Sequence, residues 1–521
     1  MTDSTVAIVG SGIAAASIAY VLASRGIDVA IFEKGPEFPY PYALQYEEEV
    51  LNQWINPARD LPRELRPLVQ TGNLPFQVDS ERRMRVGGMA TSWNAITLRM
   101  VPSDFQTRTR FGRGQDWPIT YDDLEPYYSQ AESLLGVSGT DDDNPFAPPR
   151  SQPYPLPPFE LGYFDQMLAE RLRAGGIALH TTPQARTRQP YTDRPACVNY
   201  GNCYVCPIGA RYSPAYHLQL ALQTGFCRLY TEHSVRRIIV SPNGLAQALI
   251  IRDNRSAAEW EHSAEVFVLA AGAVETARVL FLSADERQPD GLGNAGGQLG
   301  RHLSYHPIRF GLLRYSTPVF PGRAGFPTAQ SLQFIDHPDR GRYGGIKVEF
   351  GDQPPRGGIA GATFGELDDL QNAADFFLHT RWIWLHAETD MTDRKYVALS
   401  DQRDLFGDRA PHVHHESSEF DFETYQYGQR LFRHIAETSE AVGTYLQEFD
   451  AWVSWSHHMG GARMGHGPDD SVVDAFGQVH GVRNLFTAGA SQFVETSAVN
   501  PTLTIVALAL RTADYLLDQR L

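Results

Sequence analysis

Cysteine is scarce in this sequence, with four among 521 residues. That number is too small for a disulfide scaffold in a chain of this length. No apolar run reaches the roughly 18 residues that a membrane-spanning helix needs, and the N-terminus lacks the charged and apolar segments of a secretion signal. We therefore expect a cytoplasmic protein without a membrane span, unless a partner chain carries it out of the cell.

Positive charge is also in short supply, because 45 Lys and Arg face 61 Asp and Glu for a formal net charge of −16. The acid excess is spread along the chain, and Lys and Arg are not clustered, which argues against a nucleic-acid surface. A chain of 521 residues is too long for one simple core, so we predict two domains or one elaborated large domain.

The N-terminus has the pattern of a dinucleotide-binding unit. An apolar strand is predicted over residues 6–9, a helix over 17–25 and a second strand over 29–32. Between the first strand and the helix stands a G-x-G-x-x-A turn, with Gly10, Gly12 and Ala15 at its fixed positions. The glycines let the backbone approach a pyrophosphate, and Glu33 is placed to bind a ribose hydroxyl. The turn alone does not separate FAD from NAD, but the glutamate disfavours a 2′-phosphate.

Two further glycine-bearing segments could also approach a cofactor. Gly87 and Gly88 precede a run of small residues, although an ordinary turn would look the same. A strand predicted over residues 266–271 ends at Ala271, and Gly272 follows it. A helix that extends to Leu282 is predicted after this turn. The proline-rich residues 36–80 are predicted to form a long excursion, such as a lid or an interface segment.

Residues 308–450 differ from the preceding segments in composition and in hydrophobic pattern. Strand-like runs occur at 308–315 and 346–350, aromatic residues are frequent, and a long helix is predicted over 422–442. We predict an antiparallel sheet that carries a substrate pocket. His412, His414 and His415 cluster here without a carboxylate at ligand spacing, so a solvated loop is favoured over a metal site.

Cys197, Cys203 and Cys206 fall within ten positions, and Pro207 follows the last of them. This spacing is similar to that of iron–sulfur ligands. The alternative is a folded loop with a disulfide or free thiols. A zinc site is disfavoured because no fourth ligand stands at finger spacing. We predict no metal ligand, and the sequence leaves the cluster open.

The candidate catalytic residues are His457 and Asn500, each at the edge of a glycine-rich or proline-bounded turn. A neutral imidazole can accept a hydroxyl proton. An amide can donate to a substrate oxygen as negative charge develops on it. We expect His457 to be the general base and Asn500 the hydrogen-bond donor, with His458 as the alternative base.

With these segments in view, the chain resembles the glucose–methanol–choline (GMC) family of flavoprotein oxidoreductases over nearly its whole length. The resemblance is carried by the ordered set of the N-terminal turn, residues 86–88, 116–118, 300–307, 457–465 and 500–504. Residues 86–93 look most like pyranose oxidases. The cysteine loop looks like bacterial FAD-dependent glucose dehydrogenases that carry a [3Fe-4S] cluster.

The resemblance implies an α/β fold, with a Rossmann-like FAD-binding domain built from separated segments and an α+β substrate domain with an antiparallel sheet. The implied FAD-binding domain comprises residues 1–100, 195–307 and 455–521, and the substrate or cap domain comprises 101–194 and 308–454. FAD is expected to be non-covalent, because Ser92 stands where pyranose oxidases carry the attaching histidine. The implied cofactor-binding residues are Gly10, Gly12, Ala15, Glu33, Gly87, Gly88, Ser92, Asn94, Val235, Ala271, Gly272, Gly489, Ala490, Asn500, Pro501 and Thr502.

The activity implied is FAD-dependent oxidation of a CH–OH group to a carbonyl, with the hydride passing to flavin N5 and the proton to His457. A sugar or glycoside is the favoured substrate. The alternative is a dehydrogenase of a polyol, aromatic alcohol or sterol that passes electrons to a quinone or cytochrome partner. Oxygen, a quinone or a redox partner remains open as the acceptor, and no nucleic-acid partner is expected.

Overall fold

The computed structural model describes residues 2–38, 40, 60–74, 76–199, 206–319, 324–351, 375–448 and 457–521. Part of the predicted excursion over residues 36–80 and Cys203 of the cysteine loop lie outside these ranges.

The predicted N-terminal unit is present as β1 (Ser4–Val9), α1 (Ile13–Ala23) and β2 (Val29–Glu33). β1 lies between β2 and β8 (Glu259–Leu269) and pairs in parallel with both. All five residues of β2 are buried. Strands covered on both faces read as continuous apolar runs rather than alternating ones, which is why this unit was visible in the sequence. β5 (Cys227–Thr231) and β16 (Leu485–Thr487) extend the parallel part, alongside β2 and β8 respectively.

The helix of this unit begins at Ile13, four residues before the predicted start. Gly12 is its extended N-cap, so the turn between strand and helix is shorter than the sequence suggested. The turn depends on Gly10, whose φ is +94°, since a Cβ there would lie 2.7 Å from the carbonyl oxygen of Ala270. No L-residue with a side chain fits that position without moving the neighbouring backbone.

The parallel sheet continues into an antiparallel extension made of β6 (His233–Val240) and β7 (Ala246–Asp253). β7 pairs with the first half of β8, while the second half of β8 reaches into the parallel part. The strand predicted over residues 266–271 is confirmed, although it begins at Glu259 and ends at Leu269. α6 (Gly272–Leu282) follows β8, as predicted.

The predicted antiparallel sheet is also present, with six strands in the order β15-β9-β12-β11-β10-β4. Its strands are β4 (His180–Thr181), β9 (Ile308–Arg314), β10 (Ala329–Ser331), β11 (Ile346–Gly351), β12 (Thr380–Ala387) and β15 (Gly443–Leu446). Two helices, α4 (Tyr163–Ala174) and α7 (Glu419–Thr438), share one apolar cluster with this sheet. Ile346, Val348 and Phe350 of β11 belong to that cluster. The residues between them, Lys347 and Glu349, therefore point to the opposite face.

A small third sheet corrects the interpretation of the histidine cluster. His412, His414 and His415 lie in β14 (Arg409–His415), not in a solvated loop. β14 is the central strand between β13 (Lys395–Arg403) and β3 (Val69–Gly72). Its pairing with β3 spans more than 300 positions of sequence, a long-range contact that local patterns do not contain.

Helix starts follow their capping residues. Thr120 and Asp123 have the spacing of a capping box, which predicts the start of α3 (Tyr121–Leu135), and they form that box in the structure. α7 begins three residues before its predicted start because Ser418 and Asp421 form a second capping box. The remaining helices used below are α5 (Pro214–Gln223) and α8 (Thr502–Gln519).

Candidate active site

A cavity of about 730 Å³ runs from the N-terminal turn to the antiparallel sheet. Thirteen of the sixteen predicted cofactor-binding residues line it: Gly10, Gly12, Glu33, Gly88, Ser92, Asn94, Val235, Ala271, Gly272, Ala490, Asn500, Pro501 and Thr502. Ala15, Gly87 and Gly489 are not among the lining residues. They shape the wall from behind, since Ala15 is fully buried in α1 and a Cβ on Gly489 would lie 3.0 Å from Ala14 Cβ.

One end of the cavity suits a dinucleotide pyrophosphate. Gly12, the N-cap of α1, has no side-chain capping hydrogen bond, and the first N–H groups of a helix attract anions. A Cβ built on Gly12 meets nothing within 4 Å, so the backbone here faces open space. Lys34, Arg82 and Arg83 line the same cavity, where Arg82 is paired with Asp79 and Glu275, and Arg83 with Asp60. No sequence motif positions these three cations, so the sequence alone does not predict them.

Glu33 is fixed in place by the turn that it faces. The backbone N–H and the hydroxyl of Ser11 both donate to Oε2 of Glu33, at 3.0 and 2.5 Å, and the N–H of Gly35 donates to Oε1 at 2.8 Å. Burial raises the pKa of the Glu33 carboxyl, and these hydrogen bonds oppose that rise. The carboxyl group lines the cavity where a ribose hydroxyl can reach it.

Ser11 also ties the Gly87–Gly88 loop to the N-terminal turn. The N–H of Gly87 donates to Ser11 Oγ at 3.1 Å, across 76 positions of sequence. Gly87 has a φ of +87°, and a Cβ there would meet the Thr91 side chain at 2.6 Å. A short 3₁₀ turn over Gly88–Ser92 then presents the loop to the cavity. Within the described ranges, the buried Oδ1 of Asn94 has no hydrogen-bond partner, so it is an acceptor left for a bound molecule.

The two predicted catalytic residues line the same cavity, and so does the alternative base His458. His457 Nδ1 lies 3.0 Å from Nδ1 of His306. Burial, followed by the nearby His386 and Lys347, holds the pKa of His457 well below its ordinary value, so the ring is neutral at pH 7. Burial likewise lowers the pKa of His458 to about 3.

A buried charged group that the sequence analysis missed stands behind Asn500. Lys347 Nζ donates to Asn500 Oδ1 at 2.7 Å and to Glu349 Oε2 at 2.5 Å. Burial alone would raise the pKa of Glu349, but Lys347 and His386 bring it down to about 2. The available signal was an alternation of opposite charges in an apolar strand, Ile346-Lys347-Val348-Glu349-Phe350. Such a pattern is typical of a strand with a solvated face, and only the tertiary fold reveals that this face lines a cavity.

Three histidines that are distant in sequence meet at this end of the cavity. One ring nitrogen from each of His306, His386 and His457 lies within 4.8 Å of the other two. Three imidazoles at this spacing could approach a metal ion. Each ring already has a protein neighbour, however, since His306 contacts His457 and His386 Nε2 lies 3.1 Å from Glu349 Oε2.

The cysteine loop is only partly described. Cys197 and Cys206 are free thiols, and Cys203 lies outside the described ranges. Cys227 is a separate buried thiol in β5, where burial raises its pKa to about 12. The prediction that these cysteines hold no metal, and the iron–sulfur alternative to it, therefore both stay predictions. No helix within the described ranges is both long and apolar enough to cross a membrane.

Comparison with known proteins gives three kinds of match. Residues 392–509 match the sequence model of the GMC oxidoreductase family, and residues 8–38 match that of the NAD(P)-binding Rossmann-like domain. The 2-methyl-1,2-propanediol dehydrogenase of Mycolicibacterium austroafricanum is 31% identical over 98% of this chain and 94% of its own length. The fructose dehydrogenase large subunit of Gluconobacter japonicus is 27% identical over 98% and 97%. Among solved structures, pyridoxine 4-oxidase from Mesorbium loti superposes with a TM-score of 0.67 at 18% identity, over 100% of both chains.

Proposed function

This chain belongs to the GMC oxidoreductase family, and on that premise we propose that it oxidises a CH–OH group of a sugar or glycoside, with His457 as general base and Asn500 as hydrogen-bond donor. That it is an FAD-dependent enzyme acting on CH–OH donors follows from the family. One observation carries the proposal for the site: His457, Asn500 and the dinucleotide turn line a single cavity.

We propose that FAD is held by the residues of the Ser11–Glu33 and Gly87–Gly88 segments and by the N-terminus of α1. Three features fit a dinucleotide: the uncapped helix N-terminus at Gly12, the unpartnered Asn94 oxygen, and the cations that line the cavity, Lys34, Arg82 and Arg83. When bound, FAD supplies the acceptor for a hydride, which leaves the hydroxyl proton for the protein to accept.

His306 is suited to set the tautomer of His457. If His457 donates its Nδ1–H to Nδ1 of His306, 3.0 Å away, its Nε2 remains unprotonated and basic. The lowered pKa of His457 keeps this neutral form populated at pH 7. A neutral imidazole fixed by a second group is the form that a general base requires.

Lys347 is suited to set the orientation of Asn500. An ammonium group can only donate, so the amide must turn its oxygen towards Lys347, and its NH₂ group is then free to serve the substrate. The amide N–H can donate to the substrate oxygen as negative charge develops there. The pairing of Lys347 with Glu349 supports a fixed arrangement, since both side chains are buried.

A polyhydroxylated substrate is supported by the polar side chains of Glu349, His386 and Asn500 that line the cavity, and by the relatives. The relatives are named for fructose and for 2-methyl-1,2-propanediol, and both names denote compounds with several hydroxyl groups. We also propose the division into residues 1–100, 195–307 and 455–521 for FAD, and 101–194 and 308–454 for substrate. The pairing of β4 with β10 supports it, because it joins residues 180–181 to the second sheet.

The test is anaerobic mixing of the purified holoenzyme with a panel of sugars, glycosides and simple alcohols, with bleaching of the flavin absorbance as the readout. We expect fast bleaching by sugars and slow bleaching by simple mono-alcohols. A hydrogen peroxide assay in air then distinguishes an oxidase from a dehydrogenase. If no sugar or glycoside bleaches the flavin, the proposed substrate class is wrong.

A second candidate is a dehydrogenase of a non-sugar alcohol that passes electrons to a quinone or cytochrome. The 31% identical relative, named as a dehydrogenase of a small diol, favours it. Bleaching by small alcohols but not by sugars, with turnover only when a quinone or a one-electron dye is added, would support this candidate.

A further inference from the structure

The wall beside His457 carries a second imidazole, that of His386, to which the proton transfer proposed above assigns no role. His386 lies on β12, is 4% exposed and lines the same cavity as His457 and Asn500. Its neighbours Ile383 and Leu385 belong to the apolar cluster under the helices. The alternation along the strand therefore turns His386 away from the helices and towards the cavity.

Neither ring nitrogen of His386 has a hydrogen-bond partner within the described ranges, although Nε2 lies near a carboxylate. Nε2 lies 3.1 Å from Oε2 of Glu349. Glu349 is ionised, so it can only accept, and this favours the tautomer in which Nε2 carries the hydrogen. Nδ1 is then an acceptor, and it has no hydrogen-bond partner within the described ranges. A buried acceptor without a partner is unfavourable unless a bound molecule supplies a donor.

The spacing of the two imidazoles suits two neighbouring hydroxyl groups. Ring nitrogens of His386 and His457 lie within 4.8 Å of each other. The oxygens of a vicinal diol lie about 3 Å apart when the C–C bond between them is staggered gauche. Two such oxygens can each reach one of two nitrogens at this separation with hydrogen bonds of about 2.8 Å.

We propose that His386 and Glu349 form a subsite for a second hydroxyl group, on the carbon next to the one that is oxidised, so that the enzyme selects vicinal diols. The inference rests on the proposed function, because it assumes that oxidation occurs at His457 and Asn500. The reacting carbon loses a hydride and its hydroxyl loses a proton, while the neighbouring hydroxyl is retained. The product is an α-hydroxycarbonyl compound. The subsite is neutral overall, since Lys347 balances Glu349, and it suits an uncharged polyol.

The experiment compares kcat/KM for flavin reduction with propane-1,2-diol, propane-1,3-diol and propan-1-ol, and with a methyl glycoside and its monodeoxy analogues. We expect the 1,2-diol to exceed the other two by on the order of 10- to 100-fold, because they leave the buried acceptor unpaired. Equal rates for the 1,2-diol and the mono-alcohol would overturn the subsite and leave the proposed function standing. Failure of every alcohol to reduce the flavin would overturn both.

Variants assign the preference to His386. His386→Phe keeps a ring of similar size but removes both nitrogens, so it should lower kcat/KM for the diol more than for propan-1-ol and thereby reduce the ratio between the two substrates. His386→Gln keeps an acceptor and should retain part of the preference. His337→Phe is the matched control, because His337 lies outside the cavity and contacts Gly344 O and Tyr343. An equal loss for diol and mono-alcohol in both His386 variants would mean that His386 only supports the fold, and it would overturn the proposal.

Discussion

Lys347 Nζ lies 2.7 Å from Oδ1 of Asn500, and both groups are buried. A lysine on the antiparallel sheet thus contacts a residue two positions before α8, 153 positions later in the sequence. The contact fixes which end of the amide faces the cavity, because the ammonium group offers only donors. The proposed electrostatic role of Asn500 therefore depends on a residue that no C-terminal motif contains.

The first prediction concerns that contact. Lys347→Met keeps the aliphatic stem but loses the ammonium group, so Asn500 can turn its oxygen towards the substrate. We expect the rate constant of flavin reduction to fall about 10- to 100-fold, which does not exceed the fall caused by removing a group that donates directly to the substrate. The change in KM should be smaller. Stopped-flow reduction of the holoenzyme measures both.

The matched control for Lys347→Met is Lys395→Met, which removes another fully buried ammonium group, here paired with Asp390 and Asp421. Both variants leave carboxylates unpaired and should lower the melting temperature. Only Lys347→Met should slow flavin reduction. Equal slowing in both variants would mean that the effect comes from general destabilisation rather than from the orientation of Asn500.

The second prediction separates the two adjacent histidines. His457→Ala should lower the rate of alcohol oxidation by roughly 10²–10⁴-fold, because the general base is lost, and FAD should stay bound. His458→Ala should retain most of the activity. Flavin reduction and the flavin-to-protein absorbance ratio are measured for both. A larger loss in the His458 variant would transfer the role of base to His458.

The third prediction concerns pH. The pKa of His457 is depressed by burial and by neighbouring positive groups, so the neutral, basic form persists below the ordinary histidine pKa of about 6.5. Because His457 must be neutral to accept a proton, kcat/KM should stay level as the pH falls through 6.5 and should decline only at lower pH. A pH profile of kcat/KM between about 4.5 and 8 tests this, and an acid limb centred at or above 6.5 would contradict it.

The fourth prediction concerns Glu33. Glu33→Ala removes the acceptor for Ser11 and Gly35 and the predicted contact with the ribose. We expect the affinity for FAD to fall by about tenfold or more. The variant should therefore lose FAD on gel filtration and show a lower flavin-to-protein ratio. Glu261→Ala, at an exposed position on β8, should keep its flavin. Retention of FAD by both variants would remove Glu33 from the cofactor site.

The fifth prediction is that FAD is not covalently attached. Ser92 Oγ, whose contact within the loop is the Met89 carbonyl oxygen at 3.4 Å, offers no imidazole for attachment. Acid precipitation of the holoenzyme should therefore release all of the flavin into the supernatant. A yellow pellet that stays coloured after washing would show a covalent link elsewhere on the chain.

Local signals predicted much of the fold. Residues close together in sequence determine the dinucleotide turn, the Thr120 cap and the alternating strands of the second sheet, so local patterns predict these features. Helix α1 was placed late because its first turn is packed with Ala14, Ala15 and Ala16, which have no amphipathic pattern. The position of His412 in a central strand depends on β3, whose partner lies more than 300 residues away.

Sequence motifs predicted the glycine-bearing segments of the candidate site and its C-terminal pair, but not the side chains behind that pair. His457 and Asn500 stand in recognisable turns, whereas His306, Lys347 and His386 reach them through the pairing of β11 and β12 and through the segment before β9. In the sequence Lys347 and His386 look like ordinary polar positions of a half-exposed sheet, and nothing in residues 300–307 marks His306 as a neighbour of His457. Lys347 and His386 lie on the face of the sheet opposite the two helices, and their burial there is a property of tertiary packing rather than of local pattern.

Ser11 gives the cofactor site a further property. One hydroxyl group accepts from Gly87 and donates to Glu33, so the N-terminal turn and a loop 76 residues later share a single hydrogen-bonded junction. Free energy gained when a ligand binds to either segment stabilises the other by mass action. Loading of the apoprotein should therefore be a cooperative event, in which the Gly87–Gly88 loop and the N-terminal turn become protected from proteolysis together.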